Sequence, residues 1–288
     1  MVKFRNSGGG LSGNLEDRRA AGGGMGGMGF PIGKAGMGGG VIGIVILLIT
    51  LFMGGGGGGG GSGDIFSQMQ SPGGTIDPAD DELVQFMSDA LDDIQAFWST
   101  DGGIGSQYQD AKLVLFSGGV STGGCGNAPS SVGPFYCPAD SKAYIDLSFF
   151  RELRDRFGAP GDFAQVYVLA HELGHHVQNL LGTSSQVNQE QQQNPDQANE
   201  LSVRMELQAD CYAGVWGNSA KDRGILEPGD VEEGLGAAEA VGDDKLGNPN
   251  QETWTHGSAE ARQRWFSTGF ESGDHKACDT FSVPADQL

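Results

Sequence analysis

Residues Phe163–Leu181 read FAQVYVLAHELGHHVQNLL, opened by Gly161-Asp162 and closed by Gly182. The stretch is expected to be one long helix between these glycine-marked ends. Inside it lies His171-Glu172-Leu173-Gly174-His175. Histidines four residues apart on a helix project from one face, within reach of a single ion. The glutamate beside the first histidine then leans over the open side of that ion, where it can take a proton from bound water. The plainer reading is a solvated helix face. Against it stand Val166, Val168, Leu169, Ala170, Leu173 and Val177, which make the helix largely apolar and therefore buried. Two buried histidines and a buried carboxylate are costly unless they are paired or bind metal. His176 lies about 100° round the helix from His175 and so off the ligand face.

Such an ion needs a third protein ligand. An extension of the motif with glycine at 178 and histidine at 181 would supply one, but this chain has Gln178 and Leu181. A second helix, expected from about Pro195 to Gly217, carries Glu206 and Asp210 on one face among Leu201, Val203, Met205, Leu207, Ala209, Tyr212, Val215 and Trp216. Acids in so apolar a helix call for a partner. Glu206 is the expected third ligand, with a fourth position left for water. Asp210, one turn on, is placed to accept the far N–H of His171 and fix its tautomer. Glu190, Glu200 and Asp210 itself are rival ligands.

The chain has 288 residues with 17 basic and 37 acidic side chains, a formal charge of −20. Residues 1–40 carry a local +3, leaving −23 on the rest. A body so acidic is repelled by phosphate backbones, which argues against nucleic acid as a partner. Glycine supplies 51 positions, 25 of them within residues 1–63, so the opening stretch is not an ordinary packed core. Residues 35–53, ending in VIGIVILLITLFM, are uncharged and reach about 29 Å as a helix, close to the hydrocarbon thickness of a bilayer. The expected organisation is a basic cytoplasmic segment 1–34, a single transmembrane helix 35–53, a glycine-rich linker 54–74 and a folded domain 75–288. The basic residues all precede the span, which puts the N-terminus in the cytoplasm and the domain outside the cell membrane.

Within that domain, Asp77-Pro78 is an expected helix start. Leu83, Phe86, Met87, Ala90, Leu91, Ile94, Phe97 and Trp98 follow at helical spacing up to Asp101. Lys112–Phe116 and Ala143–Leu147 are expected strands, and Phe149–Phe157 a short helix. The Gln/Asn run Ser184–Asn194 separates the two long helices. Two weaker helices, near Asp230–Val241 and Ser258–Phe266, precede a polar tail. Few strands and many helices give an α+β class, mostly helical with a small sheet. If the body is extracytoplasmic, Cys125 is expected to pair with Cys137, and Cys211 is free to pair with Cys278. Four cysteines allow three pairings, and spacing does not choose among them.

HELGHHVQ followed by MELQADCYAGVW resembles a bacterial, membrane-anchored group described as "putative neutral zinc metallopeptidases", and more distantly gluzincins that pair HExxH with ExxxD. The likeness extends to LEDRR (Leu15–Arg19), PFYCP (Pro134–Pro138), YIDLSFF (Tyr144–Phe150), the THG…RQRWF segment (Thr255–Phe266) and CDTF (Cys278–Phe281). It implies a zincin-like fold, one zinc ion, and a protein or peptide substrate. It also implies a donor late in the chain for the oxyanion of the reaction. His256, in Thr255-His256-Gly257, fits that placement, with Tyr144 and Tyr212 as alternatives. The rival functions are a zinc-stabilised binding or structural module without turnover, and an amidase acting on cell-wall peptides.

Overall fold

The computed structural model describes residues 2–4, 10–20, 79–100 and 102–288. The described residues form an α+β arrangement, mostly helical, with one four-stranded and one two-stranded sheet. Strand β1 is Leu15–Asp17, β2 Lys112–Phe116, β3 Gly119–Ser121, β4 Asn127–Pro129, β5 Phe135–Cys137 and β6 Lys142–Asp146. The larger sheet has the order β1-β2-β6-β5, with β1 and β6 parallel to β2 and β5 antiparallel to β6. Alternation along the strands separates two cores. Leu113, Leu115, Ala143 and Ile145 face the main one, while Val114, Phe116 and Tyr144 face a smaller one with Val132, Phe135 and Cys137. The β3–β4 hairpin lies beside that smaller core, and a Cys125–Cys137 disulfide staples the loop to β5.

The helices are α1 Ala79–Trp98, α2 Ser148–Asp155, α3 Asp162–Leu180, α4 Thr183–Gln193, α5 Ala198–Asp222, α6 Asp230–Ala240 and α7 Ala259–Ser272. The expected start of α1 at Asp77-Pro78 lies outside the described residues. Val84, Met87, Leu91, Ile94 and Trp98 bury its apolar stripe, and Asp80, Asp81 and Glu82 sit in its first turn, where the helix dipole favours acids. Helix α5 is central. It packs on α3 where Gly174 lets the two backbones approach: a Cβ there would lie 2.9 Å from the carbonyl oxygen of Ala209. It meets α7 through Gly214 and Gly269, where a Cβ would lie 2.8 Å from Phe270 N and 3.0 Å from Val215 N respectively. A second disulfide, Cys211–Cys278, ties the chain after α7 to α5.

Two expectations are corrected here. The Gln/Asn run does more than separate helices: it forms α4, started by Gly182 in a left-handed conformation (φ 83°) and held by buried Val187. Gln and Glu are good helix formers, so polarity removed the apolar period without removing the helix. The second correction concerns location. The N-terminal segment, expected on the far side of a membrane from the body, contributes β1 to the body's own sheet, with Leu15 opposite Leu113. Glu16 of β1 pairs with Lys142 at 2.8 Å, and the buried Arg19 pairs with Asp17 and Asp81 at 2.7 and 3.1 Å. Val2 packs in the main core, and the Lys3 N–H donates to Ile225 O at 2.9 Å. A strand cannot share a ladder with a sheet across a bilayer. No helix among the described residues is long and apolar enough to cross a membrane. The single-pass membrane location is therefore not supported. The expected span 35–53 and linker 54–74 lie outside the described residues.

Candidate metal centre

Helix α3 carries His171 and His175 one turn apart, their rings 4.8 Å between centroids and nearly perpendicular. Helix α5, brought close by Gly174, presents Glu206 to both. His171 Nε2 is 3.1 Å from Glu206 Oε2 and His175 Nε2 is 3.4 Å from Glu206 Oε1. One ligating atom from each of the three lies within 4.8 Å of the others. Glu172 is buried beside them, and its Oε2 has no hydrogen-bond partner among the described residues.

Asp210 lies one turn beyond Glu206, fully buried, with Oδ1 2.8 Å from His171 Nδ1. The Tyr167 hydroxyl donates to the same oxygen. Arg262, on α7 and also buried, donates from Nε to Asp210 Oδ2 at 2.8 Å and from Nη2 to Oδ1 at 3.0 Å. This two-pronged ion pair ties α7 to α5 directly behind the first histidine. Neither Arg262 nor Tyr167 stood out in the sequence. The available signal was an arginine sharing a helix face with Trp265 and Phe266, a position that demands an acid partner once buried.

The electrostatics follow from that packing. Burial pulls the His171 pKa down, but Asp210 and Glu206 override it and carry it up to about 10. His175 is raised in the same way, burial being outweighed by Glu206. Burial pushes Glu206 up, yet His175 and His171 hold it well below the usual carboxylate range. Asp210 is likewise lowered, its burial outweighed by Arg262 and His171. Glu172 goes the other way: burial dominates the two histidines and raises it. The five side chains thus contain one carboxyl poised to hold a proton among acids that are not.

The remaining expected site residues fall elsewhere. Glu190 is exposed, and Glu200 pairs with Arg204 at 2.7 Å. His176 is buried on the other side of α3. Its Nε2 donates to Gln109 O at 2.6 Å, so its Nδ1 accepts from the Tyr136 hydroxyl at 2.8 Å, and burial keeps its pKa low. Tyr144 donates to Asp140 at 2.6 Å in the smaller core, and Tyr212 packs edge-on against Trp98. His256 is half-buried in a loop laid on α5, where Gly257 abuts Val203 and Leu207. Asp243 shapes that loop, accepting the backbone N–H groups of Thr255, His256 and Gly257 at 2.9, 2.8 and 3.0 Å, with His256 Nδ1 3.4 Å from its other oxygen. His256 is not one of the three side chains whose ligating atoms converge. A second convergence among the described residues, of Asp162, Asp230 and Glu233, directs oxygens at backbone N–H groups of Val2, Glu227 and Phe163.

Two imidazole nitrogens and one carboxylate suit zinc with a fourth, open position, and the unpartnered Glu172 oxygen beside them fits a proton acceptor for a group held there. Comparisons with known proteins show which family the chain belongs to. The chain is 49% identical over 282 residues to the uncharacterized protein YpfJ of Escherichia coli (strain K12), covering 94% of this chain and 96% of that one. It is 50% identical over 192 residues to an uncharacterized protein of Mycobacterium tuberculosis (strain ATCC 25618 / H37Rv), covering 61% and 64% of the two chains. No solved structure matches. A family model described as "Putative neutral zinc metallopeptidase", a description that implies zinc and points to a hydrolase, matches residues 3–281. The chain belongs to that family.

Proposed function

We propose that this protein is a zinc peptidase of zincin-like fold, hydrolysing peptide bonds in protein or peptide substrates, with one zinc held by His171, His175 and Glu206. The observation that carries the reading is the approach of these three ligating groups to one point, beside a buried carboxyl oxygen with no partner. Zinc, when bound, supplies Lewis-acid polarisation and makes water a nucleophile near neutral pH. Glu172 Oε2 takes a proton from the attacking water and returns it to the leaving amine; its raised pKa suits both halves of that task. Asp210, pinned by Arg262, accepts the Nδ1–H of His171 and leaves its Nε2 lone pair for the metal. His256, oriented by Asp243, is the candidate donor to the oxyanion that develops on the former carbonyl.

The test is elemental analysis of the purified full chain, followed by digestion of casein and a peptide library beside a Glu172→Gln variant. The expected result is about one zinc per chain in both, with turnover reduced by roughly 10²–10⁴ in the variant. Equal digestion by both proteins refutes the peptidase reading and leaves a zinc-stabilised module. A cell-wall digest run in parallel separates peptidase from amidase.

A further inference from the structure

The two histidines of the centre are held by different means. His171 leans on a charged pair, Asp210 and Arg262. His175 has no carboxylate behind its Nδ1. That atom lies 2.8 Å from Oε1 of Gln178, which is fully buried one turn further along α3. The Gln178 amide nitrogen donates to Met205 O at 2.8 Å and to Gln208 Oε1 at 3.1 Å, both on α5. The Gln208 amide nitrogen donates in turn to Cys278 O at 2.9 Å.

The direction of this chain is not free. Backbone carbonyls only accept, so Met205 O requires the nitrogen of Gln178 on its side and Cys278 O requires the nitrogen of Gln208 on its side. Gln178 must then turn its oxygen to His175, and His175 must carry its proton on Nδ1. Its Nε2 lone pair is left facing Glu206. The far end is anchored by the Cys211–Cys278 disulfide to the residue after Asp210. It is further clamped by Arg204 Nη1 donating to Val283 O at 2.9 Å and Thr280 Oγ1 donating to Arg204 O at 2.7 Å.

We propose that Gln178 and Gln208 form an amide relay that fixes the ring of His175 and ties the second histidine of the centre to the disulfide-anchored tail. The proposal rests on the zinc-centre reading, and makes both glutamines positioning residues. It also accounts for the second disulfide: the bond immobilises the carbonyl on which the relay ends.

The experiment compares the full-length wild type with Gln178→Met and Gln208→Met, measuring zinc affinity by competition with a chelator and exchange of the His175 Nδ1–H by ¹H–¹⁵N spectroscopy. The relay predicts a slowly exchanging His175 Nδ1–H in the wild type. In Gln178→Met that proton becomes fast-exchanging and zinc binds about 10- to 100-fold more weakly, the usual effect of losing the partner behind a metal-bound histidine. Gln208→Met, which keeps the contact to His175 but loses the anchor, is expected to bind zinc severalfold more weakly. The His171 Nδ1–H is expected to stay protected in all three proteins, which separates loss of the relay from general loosening. Zinc affinities within twofold across the three proteins overturn the proposal. So does a wild-type His175 Nδ1–H that exchanges as fast as an exposed imidazole, a measurement that needs no variant. A wild type that binds no zinc sinks the metal reading instead, and the exchange rate of its His175 proton still decides whether the relay exists.

Discussion

The crossing of α5 and α7 makes Gly269→Ala a severe substitution for a single methyl. An alanine Cβ at this position would sit 2.8 Å from the carbonyl carbon of Cys211 and 3.0 Å from Val215 N. Carbon atoms in contact settle at about 3.5–4.0 Å. The obstacles are backbone atoms of a central helix, which cannot step aside as a side-chain tip can, so the helices must part by roughly 1 Å. Two effects oppose each other. Replacing a mid-helix glycine by alanine gains about 1 kcal/mol in helix propensity. Overpacking costs about 1–3 kcal/mol, and a gap of that width forfeits a quarter to a half of the dispersion attraction along the seam that buries Phe266. The loss wins, by about 1–2 kcal/mol net once the forfeited dispersion is included. The damage also reaches the centre, because α7 carries Arg262, whose two bonds to Asp210 span only 2.8 and 3.0 Å. Gly236→Ala in α6 is the control: its added Cβ meets nothing within 4 Å, so it is expected to gain about 0.5–1 kcal/mol from propensity alone. Urea unfolding at neutral pH, disulfides intact, reads both. A Gly269→Ala midpoint at or above that of the wild type refutes the account of the crossing.

The parts of this centre legible in sequence were those written as spacing on a helix. His171 with His175, and Glu206 with Asp210, each fall four apart, and helix geometry alone puts each pair on one face. Arg262 was illegible for the same reason: a lone polar residue on a helix carries no information about which helix it will meet. Its partner lies 52 residues away, and only the crossing at Gly269 brings the two together. Gln178 and Gln208 read as ordinary polar residues because their roles depend on which backbone carbonyls fold opposite them. Strand β1 was missed on a different ground. It is three residues long, two of them acidic, and its partner β2 begins at Lys112. The basic residues around it were read as a membrane-orienting charge. Of these, Arg18 and Arg19 instead pair with Glu16, Asp17 and Asp81, and Glu16 and its neighbours are matched from within the body.

Three further outcomes follow from the same contacts. Glu206→Gln is expected to weaken zinc binding far more than Glu190→Gln, because Glu206 faces both histidines and Glu190 is exposed; equal metal content in the two variants removes Glu206 from the ligand set. Arg262→Met leaves Asp210 buried without its cation and is expected to cost about 3–5 kcal/mol in unfolding free energy, whereas an unchanged urea midpoint denies the ion pair its role. Burial tends to raise the Glu16 pKa, but Lys142 and Arg18 outweigh it and bring it from 4.5 down to about 2. Its contribution is therefore present above pH 4.5 and lost as the pH falls towards 2, worth about 1 kcal/mol once solvent screening is allowed for. Unfolding profiles of the wild type and Glu16→Gln should converge across that window, and parallel profiles contradict it.

The charge within the centre sets the behaviour expected of the protein with and without a bound metal. Glu206 and Asp210, both held as carboxylates, are buried against one buried cation, Arg262, and Glu172 adds a third negative charge once its raised carboxyl ionises, so the fully ionised cluster is short by two positive charges. A divalent ion supplies both. Without it, protons on the histidines do: His171 is carried up to about 10 and His175 is raised by the same acids. A group whose pKa is raised on folding stabilises the fold fully below its unfolded value, near 6.5, and loses that contribution as the pH rises through its folded value. The metal-free protein should therefore remain folded at pH 6.5 and lose stability steadily towards pH 10. The zinc-loaded protein, whose imidazoles hold no such protons, should not share that slope. Urea midpoints of chelated and zinc-loaded protein at pH 6.5, 8 and 9.5 measure the divergence. A chelated form whose midpoint is level across the three values would mean that the histidines do not stand as cations between these acids, and the donor set would then have no reason to prefer a doubly charged ion.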